Sequence, residues 1–152
     1  LPLGINFREC DDPSNIPFEN ESFDLIINRH GDFDERELFR ILRQNGLFIT
    51  EQVGGDNDRD LVEMVLPETD KPFPHLNLTE QRKHFETAGF EIVRAEEAYR
   101  PIKFYDVGAF VLFAHIIEWE FPGFSVDQCF EQLLKMQDTI EKEGRIEEFI
   151  DI

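Results

Sequence analysis

Basic residues are scarce in this 152-residue chain: 15 Lys and Arg stand against 33 Asp and Glu, a formal net charge of −18. A surface of that sign repels a nucleic-acid backbone and an anionic membrane, and both are excluded as partners. Cysteine is nearly absent. Cys10 and Cys129 lie far apart without metal-type spacing, which reads as two reduced, buried thiols in a cytoplasmic protein. Long apolar runs are missing too; the longest, Val107–Ala114, falls far below the roughly 18 residues that a membrane span needs. Without a secretory signal, Asn77-Leu78-Thr79 reads as a helix cap rather than a glycosylation sequon. The sequence holds no G-x-G-x-G, phosphate loop, nucleophile elbow, internal repeat or low-complexity segment. It starts at Leu1 rather than methionine, so a lost natural start is expected.

What is present is enough to fold. Hydrophobic residues make up 41% of the chain, and 16 residues are phenylalanine, which suits one domain with a real core. Ile5–Glu9 reads as a modest strand. Phe23–Asn28 reads as a stronger one, its consecutive Leu25, Ile26 and Ile27 suiting a strand covered on both faces. Asp34 with Glu37 three residues on opens a helix whose Leu38, Ile41 and Leu42 share a stripe, and Asn45-Gly46 ends it. Leu47–Val53 and Phe90–Ala95 read as further strands, and between them a helix runs from a Thr79 cap to Gly89. This alternation implies a mostly parallel α/β sheet.

The last third changes character. Phe104–Ile117 is apolar almost all round and is expected to be buried on more than one side. Phe121–Phe124 makes a turn, and Ser125 with Gln128 opens a helix lined by Phe130, Leu133, Leu134 and Ile140 up to Gly144. The acidic runs Glu9–Asp12, Asp56–Asp60 and Glu141–Glu148 read as solvated faces and loops. His75, His84 and the turn Gly54-Gly55-Asp56-Asn57-Asp58 show no metal-ligand spacing and read as loop and surface residues.

Two motifs in order carry a resemblance. Asp12…Ile16-Pro17-Phe18…Ser22-Phe23-Asp24-Leu25-Ile26-Ile27, followed by Phe39-Arg40-Ile41-Leu42-Arg43-Gln44-Asn45-Gly46-Leu47-Phe48-Ile49-Thr50, resembles the middle of a class I S-adenosylmethionine-dependent methyltransferase. Gln44-Asn45 stands where the family has proline-glycine. Asn tolerates the left-handed backbone such a turn needs. The match spans Gly4 to Ala95; Phe104-Tyr105-Asp106-Val107-Gly108-Ala109 and Trp119 look like the helical insertion of a subgroup of small bacterial members.

The resemblance implies a Rossmann-like methyltransferase fold that is incomplete. Residues 1–100 would supply strands three to six of the core, and 101–152 a helical insertion or lid. The family's glycine-rich loop and ribose-binding acid, on its first two strands, are absent, and the chain stops before a seventh strand. Strands three to six alone would leave unpaired edges, so a segment of a longer enzyme or a truncated product is expected.

The implied cofactor is S-adenosylmethionine, bound by Asp12, Ile16, Asn28, Arg29 and His30. Asp12 matches the acid that contacts the adenine amine, although Pro13 lacks the N–H that relatives use, and a solvated Asp-Asp-Pro turn is the alternative. Asn28, Arg29 and His30 end the Phe23–Asn28 strand, beside the reacting methyl group by the resemblance; a plain strand end followed by a Gly31-Asp32 turn is the alternative. For Arg29 it is pairing with Asp24, Asp32 or Asp34. Tyr105, His115 and Trp119 are the expected substrate pocket, with core aromatics as the alternative. No residue stands out as catalytic and no metal is expected. The partner implied is a small-molecule methyl acceptor, with a homodimer allowed. A non-catalytic remnant that binds a partner through its Phe-rich helices or sheet edge is the competing reading.

Overall fold

A computed structural model describes residues 4–151 and shows a mixed α/β protein with nine elements among them. In chain order these are β1 (Phe23–Arg29), α1 (Glu35–Ile41), β2 (Leu42–Glu51), α2 (Arg59–Val65), α3 (Leu78–Ala88), β3 (Tyr99–Phe104), α4 (Val107–Ile116), α5 (Phe130–Glu143) and β4 (Ile146–Asp151). They form two two-stranded sheets, β1 with β2 in parallel and β3 with β4 antiparallel. The chain divides into two compact units, Leu1–Gln52 with Thr79–Ala95, and Val53–Leu78 with Glu96–Ile152. No helix among the described residues is long and apolar enough to cross a membrane.

In the first unit β1 and β2 pair in register through Leu25↔Leu47, Ile26↔Phe48, Ile27↔Ile49, Asn28↔Thr50 and Arg29↔Glu51. The helix between them starts as expected: the Asp34 side chain accepts from Glu37 N at 2.8 Å. It stops at Ile41, because Leu42 is already extended, and Asn45 takes the left-handed turn with φ 66°. The Glu37 carboxylate does not close a capping box. It accepts from Ile16 N and from Arg40, whose guanidinium also reaches Ile16 O, Phe18 O and Asn20 Oδ1. That network seats the lead-in segment on α1. Phe33, Phe48, Phe85 and Phe90 pack ring on ring over the Ile26/Phe48 face of the sheet.

The second unit gathers Leu61, Val62 and Val65 of α2, Phe110 and Ala114 of α4, and Leu133, Met136 and Ile140 of α5 around Phe104 and Ile146, the innermost pair of the antiparallel ladder. Phe121 and Phe124, in the expected turn, complete the core. Ser125 Oγ accepts from Gln128 N, and Gly144, at φ 85°, turns α5 straight into β4. Glycine meets no Cβ penalty in that left-handed position.

Several expectations are corrected. Residues 5–9 and 90–95 form no strand and join no ladder among the described residues, and Phe7 and Val93 stand 83% and 81% exposed. A strand exists only by its ladder, and apolar alternation alone cannot supply the partner. In place of the mostly parallel sheet the first unit has one parallel pair, and the second unit has a separate antiparallel pair that residue pattern did not foretell. β1 is covered on one face, not two; Leu25, Ile27, Leu47 and Ile49 are exposed on the other. Segment 101–152 holds β4 and most of β3 besides its helices, so the acidic run before residue 149 is partly strand. α2 begins within the acidic run Asp56–Asp60 that reads as solvated, and α4 presents Leu112 and Ile116 to solvent. Cys10 is exposed; Cys129 is buried. Helix α3 begins at Leu78, one residue ahead of the expected Thr79 cap.

Phe110 carries the core of the second unit. It is fully buried and contacts the rings of Phe104, Phe121 and Phe124 at centroid distances of 5.6–5.9 Å. Phe110→Ala should cost about 3–5 kcal/mol, read as a lower urea midpoint at unchanged slope.

Candidate functional site

The parallel register sets the carboxyl ends of β1 and β2 side by side, and polar residues fill both. Asn28 Oδ1 accepts from Gln52 Nε2 at 2.7 Å and from Thr50 Oγ1 at 3.3 Å, while Gln52 Nε2 also reaches Gly31 O at 3.3 Å. Glu51 lies between two nitrogen partners, Arg29 Nε at 2.8 Å and His30 Nε2 at 3.5 Å. His30 holds φ 54°, and its N–H donates to Glu51 O. A histidine in the left-handed region is uncommon, and such conformations cluster where a side chain must be aimed. So Asn28, Arg29 and His30 are brought together, and Arg29 pairs with Glu51 rather than with Asp24, Asp32 or Asp34. Sequence reading missed Thr50, Glu51 and Gln52. The signal was available: the second strand of a parallel pair must end beside the first.

Asp12 and Ile16 occupy the lead-in segment of the same unit. Asp12 Oδ1 accepts from Ser14 N and Ser14 Oγ at 2.9 and 2.7 Å, a local turn that holds its carboxyl below the ordinary value. The Ile16 backbone is engaged on both sides, its N–H by Glu37 and its carbonyl by Arg40. Arg40 in turn holds the Glu37 carboxyl below its usual range.

No family model matches this chain, and no curated protein matches it significantly.

The expected substrate-pocket residues belong to the second unit. Tyr105 precedes α4, His115 lies in its last turn and Trp119 follows it; all three are exposed, and the His115 ring packs on Phe124 at 5.5 Å. They are not core aromatics. Nor do they line either of two open clefts in this unit, one of about 250 Å³ beside Thr139, Arg145 and Glu148 and one of about 370 Å³ bounded by Asp56, Arg59, Asp60, Tyr99 and Phe149.

A cluster without sequence signal lies nearby in the same unit. Asn57, Asp58 and Glu120 are 9%, 2% and 5% exposed, against the expectation that 54–58 is a surface turn. Asn57 Nδ2 donates to Asp58 Oδ2 at 2.8 Å, and the Asn57 amide lies near enough to Glu120 to favour its charged form. Burial pushes the Asp58 carboxyl up to about 6, and burial with the Asp58 charge pushes Glu120 up to about 7. Glu148 rises to about 7 through burial and its hydrogen bond with Asp60. Among the described residues no group of three or more His, Cys, Asp or Glu is arranged to hold a metal ion.

The loop before this cluster is fixed by Asp151, itself 3% exposed. Its carbonyl accepts from Gly54 N at 2.9 Å, and burial pushes its carboxyl up. A Cβ at Gly54 would overlap the Asp151 carboxylate. Gly54→Ala should therefore cost about 1–3 kcal/mol through overpacking, measurable by urea denaturation.

Proposed function

We propose that the chain is a segment or truncated form of a class I S-adenosylmethionine-dependent methyltransferase, cytoplasmic and acting on a small-molecule acceptor, with β1–α1–β2 as part of a Rossmann-like core. The observation that carries the reading is the pairing of the two resembling motifs. They supply adjacent parallel strands, joined through one helix, with six polar residues at the shared carboxyl end. Ligands of open α/β sheets sit at that end.

The residues fit such a cofactor in part. Asn28 brings an amide, Arg29 and His30 bring donors already held by Glu51, and Asp12 keeps one carboxylate oxygen beyond the one taken by Ser14. Bound there, the cofactor supplies a methyl group on a sulfonium, whose leaving group needs no protonation. The chain's own task is then alignment and exclusion of water. His30, beside Glu51, is the group suited to accept the proton that the acceptor atom loses as it gains the methyl.

One observation favours the competing reading, a non-catalytic binding module. Leu25, Ile27, Leu47 and Ile49 form an exposed apolar ladder across β1 and β2, a surface of the kind that covers partners. Calorimetric titration with S-adenosylhomocysteine separates the two. Saturable 1:1 binding, weakened at least tenfold by Asn28→Ala, is expected; a folded chain that takes up no heat at millimolar ligand would leave the module reading standing.

A further inference from the structure

The second unit buries two carboxyl groups side by side with no base to neutralise them. Asp58 opens α2 in a left-handed conformation, φ 54°, and caps nothing with its side chain. Glu120 sits in the turn between α4 and α5, one residue before the buried Phe121. Asn57 donates its amide nitrogen to Asp58 and lies near Glu120. Two buried oxygens, Asn57 Oδ1 and Asp58 Oδ1, accept no hydrogen bond. An unsatisfied buried acceptor is costly, and two ionised carboxylates in one apolar enclosure are costlier still.

We infer that Asp58, Asn57 and Glu120 form a proton-dependent latch, which ties the start of α2 to the turn after α4 while the pair holds a proton and loosens when it is lost. With one carboxyl protonated, its O–H supplies the donor that the cluster lacks. With both ionised, the Asn57 amide is the donor set beside two negative charges.

The charged and titratable groups of the surrounding elements offer no substitute for that proton. On α2, Arg59 is committed to Glu63 and Thr69 O, and Asp60 to Glu148. On α4, His115 is exposed and packs on Phe124; in the following turn Glu118 is exposed. At the start of α5, Cys129 is a buried free cysteine and Glu131 is exposed. The sign follows from burial. Both carboxyls bind their protons more tightly folded than unfolded, so the stabilisation is complete below about pH 4 and is lost as pH rises through about 6 to 7. Across that window the opening equilibrium should rise by up to tenfold per pH unit for each proton released.

Trp119, the single tryptophan, adjoins Glu120 and reports the latch directly. The experiment follows Trp119 emission and the urea midpoint of the purified chain from pH 4.5 to 8.5. The parent protein should show an emission change and a falling midpoint across that range. Glu120→Gln should abolish the emission change and raise the midpoint at pH 8 relative to the parent. Asp58→Asn, which keeps a residue tolerant of the left-handed backbone, should do the same and serves if Glu120→Gln does not fold. His115→Gln and Glu148→Gln should leave the emission change in place. A parent protein with no change, an unaltered change in Glu120→Gln and Asp58→Asn, or its loss in His115→Gln would each overturn the latch.

Discussion

The parallel pairing of β1 with β2 is the constraint on which the first unit depends. Side chains alternate across a strand, so a slip of one residue would carry Ile26 and Phe48 to solvent and Leu25, Ile27, Leu47 and Ile49 onto the phenylalanine cluster. The same register brings Asn28 opposite Thr50 and Arg29 opposite Glu51, which is why the polar residues meet at one end instead of scattering along the sheet. Packing on one face thus fixes the chemistry at the tip. The lead-in segment is held independently, by Arg40 and Glu37. A guanidinium that spans Ile16 O, Phe18 O and Asn20 Oδ1 while pairing with Glu37 does the work of several backbone hydrogen bonds in a segment that has no ladder.

What was legible in the sequence was local. Asp34 and Glu37 mark the start of α1, Asn45 takes the left-handed turn, Gly144 stops α5, and the run from Phe23 is a strand, because each is decided by a few neighbouring residues. What was illegible depends on partners distant in the chain. Tyr99–Phe104 is a strand because Ile146–Asp151 lies against it, and neither run alternates cleanly enough to say so alone. Phe90–Ala95 has the better strand composition and is none, since no edge receives it. Aromatic residues followed the same rule: Phe85, Phe104, Phe110 and Phe121 found cores, while Tyr105 and Trp119, equally apolar by count, stayed outside.

The candidate site divides in the same way. Asn28, Arg29 and His30 were visible because a strand's polar end is a local pattern, and Glu51 and Gln52 follow once the pairing is known. Asp58 and Glu120 carried no such mark. In a chain with 33 acidic residues, two more carboxyls look like solvated surface. Only the fold reveals that Asp58 is drawn in beneath α2 and that Glu120 is pulled under by Phe121, which is 1% exposed.

That contrast bears on how charge is used here. The acids at the surface stay hydrated and are cheap, whereas Asp58 and Glu120 are held against their preference by the apolar residues around them. Leu61, Val62 and Phe121 flank these positions in sequence and are almost wholly buried, so hydrophobic packing must offset the cost of desolvating the pair. The strand tip of the first unit works oppositely: Arg29 pairs with Glu51, with His30 beside them, in partial exposure, at little cost in stability and with room for an approaching ligand. One unit therefore keeps its polar groups paired and accessible, and the other keeps them buried and dependent on a proton. These are the arrangements expected of a binding surface and of a stability-linked element respectively.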